Sequence, residues 1–266
     1  MEIRFGTSGY SYKDWAGSVY PAHLPPPAWL SYYAGLFPTT ELNFSFYRLP
    51  EAHTLEKMAA KVPADFLFAV KAFQGLTHEL ELAYLPDFIA GLQPLSERGQ
   101  LGAVLLQFPY RFHNTPANRE MLKRLRDGMP TLPLAAEFRV KDWLTEATLE
   151  LLRSLEIAYV CVDMPALPGN LPPEVHSTAP LGYVRLHGRN AKTWWEHEES
   201  WQRYDYAYSA AELDEWIPKL RFLAERSTRV LVYANNHWQG QAASTARQLW
   251  QRFAQATGLI PLPEGE

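Results

Sequence analysis

Short apolar runs, each closed by polar or Gly/Pro residues, recur along the whole chain and read as buried strands. They are IRFGTS (3–8), TELNFSF (40–46), FLFAVKA (66–72), GAVLLQF (102–108), LAAEFR (134–139), AYVCVD (158–163), LGYVRLH (181–187) and RVLVYANN (229–236). Amphipathic segments with helical spacing lie between most of them, at 51–62, 116–127, 145–156, 209–226 and 241–256. Two of these carry start signals. Thr115-Pro116 offers a cap followed by proline at the first helical position, and Ser209-Ala210-Ala211-Glu212 is a capping box. Strands alternating with helices imply a parallel sheet, and eight strands can close it into a TIM-like (β/α)8 barrel with no open edge.

Two connections depart from that rhythm. Between Asp163 and Leu181 the chain reads MPALPGNLPPEVHSTAP, too rich in proline for a crossover helix. The barrel is therefore expected to be irregular, with an extended or 3-10 link between strands 6 and 7 and seven helices elsewhere. The segment from Gly188 to Tyr208 is polar and aromatic and reads as a lid or loop. With no linker composition anywhere, 1–266 is expected to be one domain whose tail, 260–266, frays.

The strand ends carry the chemistry. Side chains two apart share a face of a strand, and sites in parallel barrels sit at the C-terminal strand ends. Strand 1 ends in Thr7 and Ser8; strand 2 carries Glu41, Asn43 and Ser45; strands 3 and 4 end in Lys71 and Gln107. Strand 5 carries Glu137 and Arg139, strand 6 ends in Asp163, strand 7 carries Arg185 and His187, and strand 8 carries Asn235, with His237 beyond. Three carboxylates thus accompany three cations and a histidine. Burying so many polar groups is costly unless they pair or bind something. Divalent-metal sites gather carboxylates and histidines with fewer fixed cations. A near balance of charge favours an anion gripped by Arg and Lys, with a carboxylate or histidine left for proton transfer.

The loops add aromatic residues among basic ones, which suits a sugar or base stacked beside a phosphate. Trp15, Trp194 and Trp195 are the expected ligand contacts, while most other rim aromatics read as loop packing. Composition narrows the class. A length of 266 residues suits one closed barrel, and a net charge of −4 argues against coating nucleic acid, although a local groove remains compatible with it. Cys161 is the only cysteine, so neither a disulfide framework nor a thiolate metal cage is available. The start has no leader-like pattern and no stretch approaches the roughly 20 apolar residues of a membrane span. The expectation is a cytoplasmic protein away from membranes.

Several long motifs, in order, resemble one family. GTSGYSYKDWAGSVYP, LSYYAGLFPTTELNFSFYRLP, FAVKAFQGLTHE, LLQFPYRF, the AEFR and DW pair, YVRLHG and VYANNHWQGQAA are similar to the YecE-like family, Domain of Unknown Function 72, from Gly6 to about Leu249. The resemblance implies a TIM-barrel-like fold and brings no established reaction. It marks Thr7, Ser8, Gly9, Trp15, Glu41, Asn43, Phe46, Tyr47, Lys71, Thr77 and His78 in the first half. In the second it marks Gln107, Glu137, Arg139, Trp143, Asp163, Arg185, His187, Gly188, Asn235 and Asn236. Tyr10 and Ala234 stand where the family pattern has tryptophan and phenylalanine, which touches loop packing more than the polar centre.

Three functional readings remain open at this point. The first is a hydrolase-like enzyme for a phosphate-, sugar- or nucleotide-containing anion and without cofactor. In it Arg139, Arg185 and Lys71 hold the anion, joined by Thr7, Ser8, Asn43, Gln107 and Asn235. Glu41 or Glu137 acts as acid or base, with Asp163 beside them, and His187 shuttles a proton. The second draws Glu41, Glu137, Asp163 and His187 around a divalent metal, as an isomerase- or nuclease-like barrel. The third is a non-catalytic binder of a nucleotide or nucleic acid, disfavoured by the acidic balance. The plain alternatives are a structural ion-pair network, an Asp163 that caps the proline-rich link, and turn-forming Asn235-Asn236.

Overall fold

The apolar runs form eight parallel strands in the computed structural model, which describes residues 2–259. The segment expected to fray, 260–266, lies outside the described residues. The strands are β1 (Glu2–Ser8), β2 (Thr39–Leu42), β3 (Leu67–Lys71), β4 (Leu101–Gln107), β5 (Leu134–Glu137), β6 (Ala158–Asp163), β7 (Leu181–Leu186) and β8 (Arg229–Ala234). They pair in chain order, and β8 closes on β1 with Glu2 opposite Arg229 and Thr7 opposite Ala234. The (β/α)8 barrel is thus formed.

Helices cover the outside. After β1 comes α1 (Trp29–Leu36); after β2, α2 (Phe44–Tyr47) and α3 (Ala52–Ala59); after β3, α4 (Gln74–Thr77) and α5 (Leu85–Glu97). Next are α6 (Pro116–Gly128), α7 (Glu146–Ser154), α8 (Ala210–Asp214), α9 (Trp216–Arg226) and α10 (Gln241–Thr257). Both expected caps form: Thr115 Oγ1 accepts from Asn118 N, and Ser209 and Glu212 close a reciprocal capping box. Among the described residues no helix is long and apolar enough to cross a membrane.

Two boundaries differ from the pattern reading. The run TELNFSF alternates like one strand, yet its ladder ends with Leu42 opposite Val70, and Phe44–Tyr47 winds into α2. Ser45, now on that turn, donates to the Lys71 carbonyl at 2.7 Å and pins α2 to the end of β3. Likewise β5 stops at Glu137, so Phe138 and Arg139 belong to the loop above it.

The proline-rich link after β6 carries no helix, as expected. It is held by polar contacts to backbone instead: Thr178 Oγ1 accepts from Tyr159 N at 2.8 Å and donates to the Ile157 carbonyl at 2.7 Å. The other staves meet at close range. A Cβ on Gly6 would lie 2.1 Å from the Thr39 carbonyl oxygen, so only glycine lets β2 approach β1 there.

Candidate active site

Ser8 and Glu41 are register partners on β1 and β2, and both turn into the barrel. The Ser8 hydroxyl donates to Glu41 Oε1 and accepts from Asn43 Nδ2 at 2.9 Å. Arg185 reaches in from the far wall. Its Nη2 donates to Glu41 Oε1 at 2.7 Å and to Ser8 Oγ at 3.1 Å, while its Nη1 donates to Glu137 Oε2 at 2.6 Å. Tyr183, two residues earlier on the same face of β7, donates to Glu41 Oε2 at 2.7 Å. One guanidinium therefore bridges two buried carboxylates, and Glu41 has partners on both oxygens. Burial opposes charge on Arg185, but Glu137 and Glu41 outweigh it and hold the group above its ordinary pKa.

Glu137 is fully buried. Burial alone would raise its pKa; Arg139, Arg185 and His187 overcome that and hold it well below the usual carboxylate range. Its second oxygen, Oε1, lies 2.6 Å from Arg139 Nη2 and 3.2 Å from His187 Nε2, without the alignment of a hydrogen bond to either. His187 Nδ1 lies 2.9 Å from Asn235 Nδ2. With the Asn235 amide donating, Nδ1 accepts and the ring proton sits on Nε2, facing Glu137. Burial, reinforced by Arg139 and Arg185, lowers the imidazole to about 4, so the ring is neutral at pH 7.

Lys71, at the end of β3, differs from the other charged groups. Among the described residues its Nζ has no hydrogen-bond or ion-pair partner, and it stands 4.0 Å from the centre of the Phe46 ring. Burial, and then Arg185, lower its pKa to about 7, against a weaker upward pull from Glu41 and Glu137. Beyond Phe46, His78 packs edge-on at 4.9 Å and shares a 3.0 Å contact with Thr77 Oγ1. Burial, then Lys71, lower His78 to about 4.

The structure brings together Ser8, Glu41, Asn43, Lys71, Glu137, Arg139, Arg185, His187 and Asn235. Gln107 joins the rim as the register partner of Glu137, its amide turned to the Phe108 carbonyl at 2.7 Å. Three expectations need correction. Thr7 points outward, where its hydroxyl meets Tyr33 of α1 at 2.8 Å, because neighbouring residues on a strand face opposite ways. Asp163 also points outward, since Val162 is level with Arg185 across the β6–β7 ladder. Its carboxylate accepts from Arg189, from Tyr208 at 2.9 Å and from Trp216 at 2.7 Å, a knot between β6, α9 and the loop after β7. Cys161 shares that outward phase and is inert core, its thiol pushed up to about 12 by burial. Trp15 is fully buried and donates Nε1 to the His237 carbonyl at 2.7 Å, which makes it a loop anchor.

The other two tryptophans divide. Trp195 is 49% exposed and leans on Tyr110 at 4.8 Å, at the rim. Trp194 is fully buried beside His187, with ring centres 6.4 Å apart, and its Nε1 has no hydrogen-bond partner. Gly188 lets the chain turn there: its φ is +89°, and a Cβ would lie 2.8 Å from the Tyr206 Cβ. With Asp163 outside, the site holds two carboxylates, Glu41 and Glu137, against Arg139, Arg185 and Lys71. Among the described residues no three His, Cys, Asp or Glu side chains are grouped to hold a metal ion. The proposed metal set does not assemble.

The model of the family described as a protein of unknown function, DUF72, matches residues 4–266. The chain belongs to the DUF72 family. A relative, the UPF0759 protein YunF of Bacillus subtilis, is 31% identical over 97% of this chain and 98% of its own. A DUF72 crystal structure from Thermotoga maritima superposes with a TM-score of 0.87 at 38% identity, covering 97% of this chain and all of that one. Another, from Enterococcus faecalis, gives 0.85 at 26% identity over 94% of this chain and 95% of its own.

In this DUF72 barrel the charged mouth continues into a cleft of about 460 Å³ lined by Tyr10, Tyr12, Glu41, Asn43, Arg48 and Thr54, among others. Tyr12 borders it, donating to the Ser8 carbonyl at 2.5 Å and stacking on His237 at 4.6 Å. Two residues of this mouth and its cleft escaped the reading of strand ends. Tyr183 sits one pleat below Arg185 and was legible from the same alternation. Arg48 lies beyond α2, where no strand-end rule reaches.

Proposed function

We propose that this DUF72 protein is an enzyme that binds a small phosphate-, sugar- or nucleotide-containing anion at the C-terminal mouth of its barrel. The observation that carries this reading is the mismatch in the site. Both carboxylates are committed to guanidinium groups, Glu137 through Arg185 and Arg139, yet among the described residues Lys71 has no anionic partner and Trp194 Nε1 is buried without a hydrogen-bond partner. An uncompensated cation and a buried unpaired donor cost free energy, so together they fit a ligand that supplies the missing groups. Lys71 provides the surplus positive charge beside the Arg139 guanidinium, and Trp194 and Trp195 flank the loop side.

The reading assigns acid–base roles by protonation. A glycosidase-type acid needs a carboxyl whose pKa is raised, and Glu137 is pushed the other way. Glu137 therefore shapes the field as a fixed anion. Lys71 is the group that can accept a proton or attack near pH 7, and hydrolase-like chemistry would run through it. The lone buried Cys161 suits a reducing, cytoplasmic setting.

A panel of sugar phosphates, nucleotides and inorganic phosphate, read by thermal stabilisation, tests the idea. Some member should raise the melting temperature of the native chain and fail to do so in Arg139→Ala. If no anion stabilises the native protein at millimolar concentration, the reading is wrong. A steep loss of affinity with salt for single-stranded or duplex DNA would instead favour a nucleic-acid binder.

A further inference from the structure

We propose that Lys71 is the nucleophile of this site, and that it captures the carbonyl carbon of a small anionic aldehyde or ketone, such as an open-chain sugar phosphate, as a covalent iminium. This rests on the reading of the barrel mouth as an anion-binding active site and specifies the chemistry performed there.

Position is the first argument. Lys71 ends β3 on the rim where the barrel side chains converge, and among the described residues its amine is neither hydrogen-bonded nor ion-paired. A lysine there would ordinarily take a carboxylate. Here the two nearby carboxylates are already engaged, Glu41 by Ser8, Tyr183 and Arg185, and Glu137 by Arg185 and Arg139.

Activation is the second. An amine becomes nucleophilic at neutral pH when it is desolvated or set beside another cation. Both conditions hold, through partial burial at the rim and through Arg185 and Arg139, and they bring the amine to about 7. By contrast the neutral imidazoles of His78 and His187 and the fixed carboxylates form no stable adduct with a carbonyl.

Substrate class is the third. The free amine adds to the carbonyl carbon, and its proton passes to the carbonyl oxygen. The carbinolamine C–O bond then breaks, the oxygen leaves as water after taking a second proton from solvent, and the positive C=N bond remains. That new charge would form 4.0 Å from the face of Phe46, which favours a cation. The guanidinium groups disfavour it unless the substrate brings a negative charge of its own. A phosphate or carboxylate on the same molecule supplies that charge and gives Arg139 a fork-shaped partner.

The test uses the whole chain, glycolaldehyde phosphate, uncharged glycolaldehyde and sodium cyanoborohydride, which reduces an iminium to a stable secondary amine. Labelling is located by peptide mass mapping. The expected result is one adduct on Lys71, formed at least tenfold faster with the phosphate than with glycolaldehyde, rising to half its maximal rate near pH 7. In Lys71→Arg, labelling should fall to the level of surface lysines. Equal labelling by the two aldehydes, or adducts scattered over surface lysines, overturns the proposal. So does an unlabelled Lys71 in a protein that inorganic phosphate still stabilises through Arg139, and that outcome leaves the anion site standing. Loss of both the adduct and the stabilisation removes both readings.

Discussion

Arg185 Nη2 donates to Glu41 Oε1 at 2.7 Å, joining residues 144 positions apart in sequence. Their strands, β7 and β2, are not neighbours in the wall, so this bond crosses the inside of the barrel. Its partner bond to Glu137 makes Arg185 the one cation that bridges both buried acids, with Arg139 pairing a second time with Glu137. Arg185→Met should therefore lower unfolding free energy by about 3–5 kcal/mol, the usual result of leaving buried charge unpaired. Urea denaturation at pH 7 reads it; a change below about 1 kcal/mol would mean that the carboxylates have other means of compensation.

Acid should weaken the fold through two groups with the same sign. His187 is neutral when folded, at about 4 against an ordinary value near 6.5, so the unfolded chain binds its proton first. Its contribution is complete above about pH 6.5 and is lost as pH falls towards 4. Glu137, also depressed, adds a further loss below the ordinary carboxylate range. Denaturant midpoints between pH 7 and 4 should fall, with His187 accounting for about 3 kcal/mol of the difference. His187→Gln should flatten the slope between pH 6.5 and 5; an unchanged slope would assign it to other groups.

Lys71 should act in the opposite part of the pH scale. Its folded value of about 7 lies below that of an unfolded lysine, so the folded chain binds fewer protons between the two values. Stability should rise with pH from about 7 to 10, and below pH 7 the full cost of a desolvated charge remains. Lys71→Met is expected to stabilise the protein at pH 7 by about 1–3 kcal/mol, with the gain shrinking towards pH 10. A destabilised variant would indicate that the amine has a structural partner.

The fold was legible because alternation and proline placement are local signals. Eight runs marked eight strands, and the missing helix after Asp163 followed from prolines alone. Two failures are of phase: adjacent strand residues face opposite ways, and Asp163 and Thr7 lie one residue out of phase with the inward set. Trp15, Trp194 and Trp195 looked alike in sequence because composition does not reveal which ring a loop buries. Pairing was equally invisible: nothing local says that Arg185 would consume two carboxylates and leave Lys71 without one.

Asp163 offers a clean contrast to that site. Asp163→Asn removes the charge that Arg189, Tyr208 and Trp216 share. Stability should drop by about 2–4 kcal/mol, while phosphate-dependent stabilisation through Arg139 should be kept. Loss of phosphate binding in a folded Asp163→Asn protein would return this residue to the site.

The stave between β6 and β7 is wrapped differently from the rest of the wall. Elsewhere an amphipathic helix seals the strands by apolar contact, which salt and acid barely touch. Here a few apolar side chains of an irregular link, Met164 and Leu171 among them, share the task with a threonine and the Asp163 knot. The barrel therefore has a seam closed by hydrogen bonds and an ion pair as much as by apolar packing. With no helix laid across them, the backbone amides of β6 and β7 should be the first in the wall to exchange with solvent.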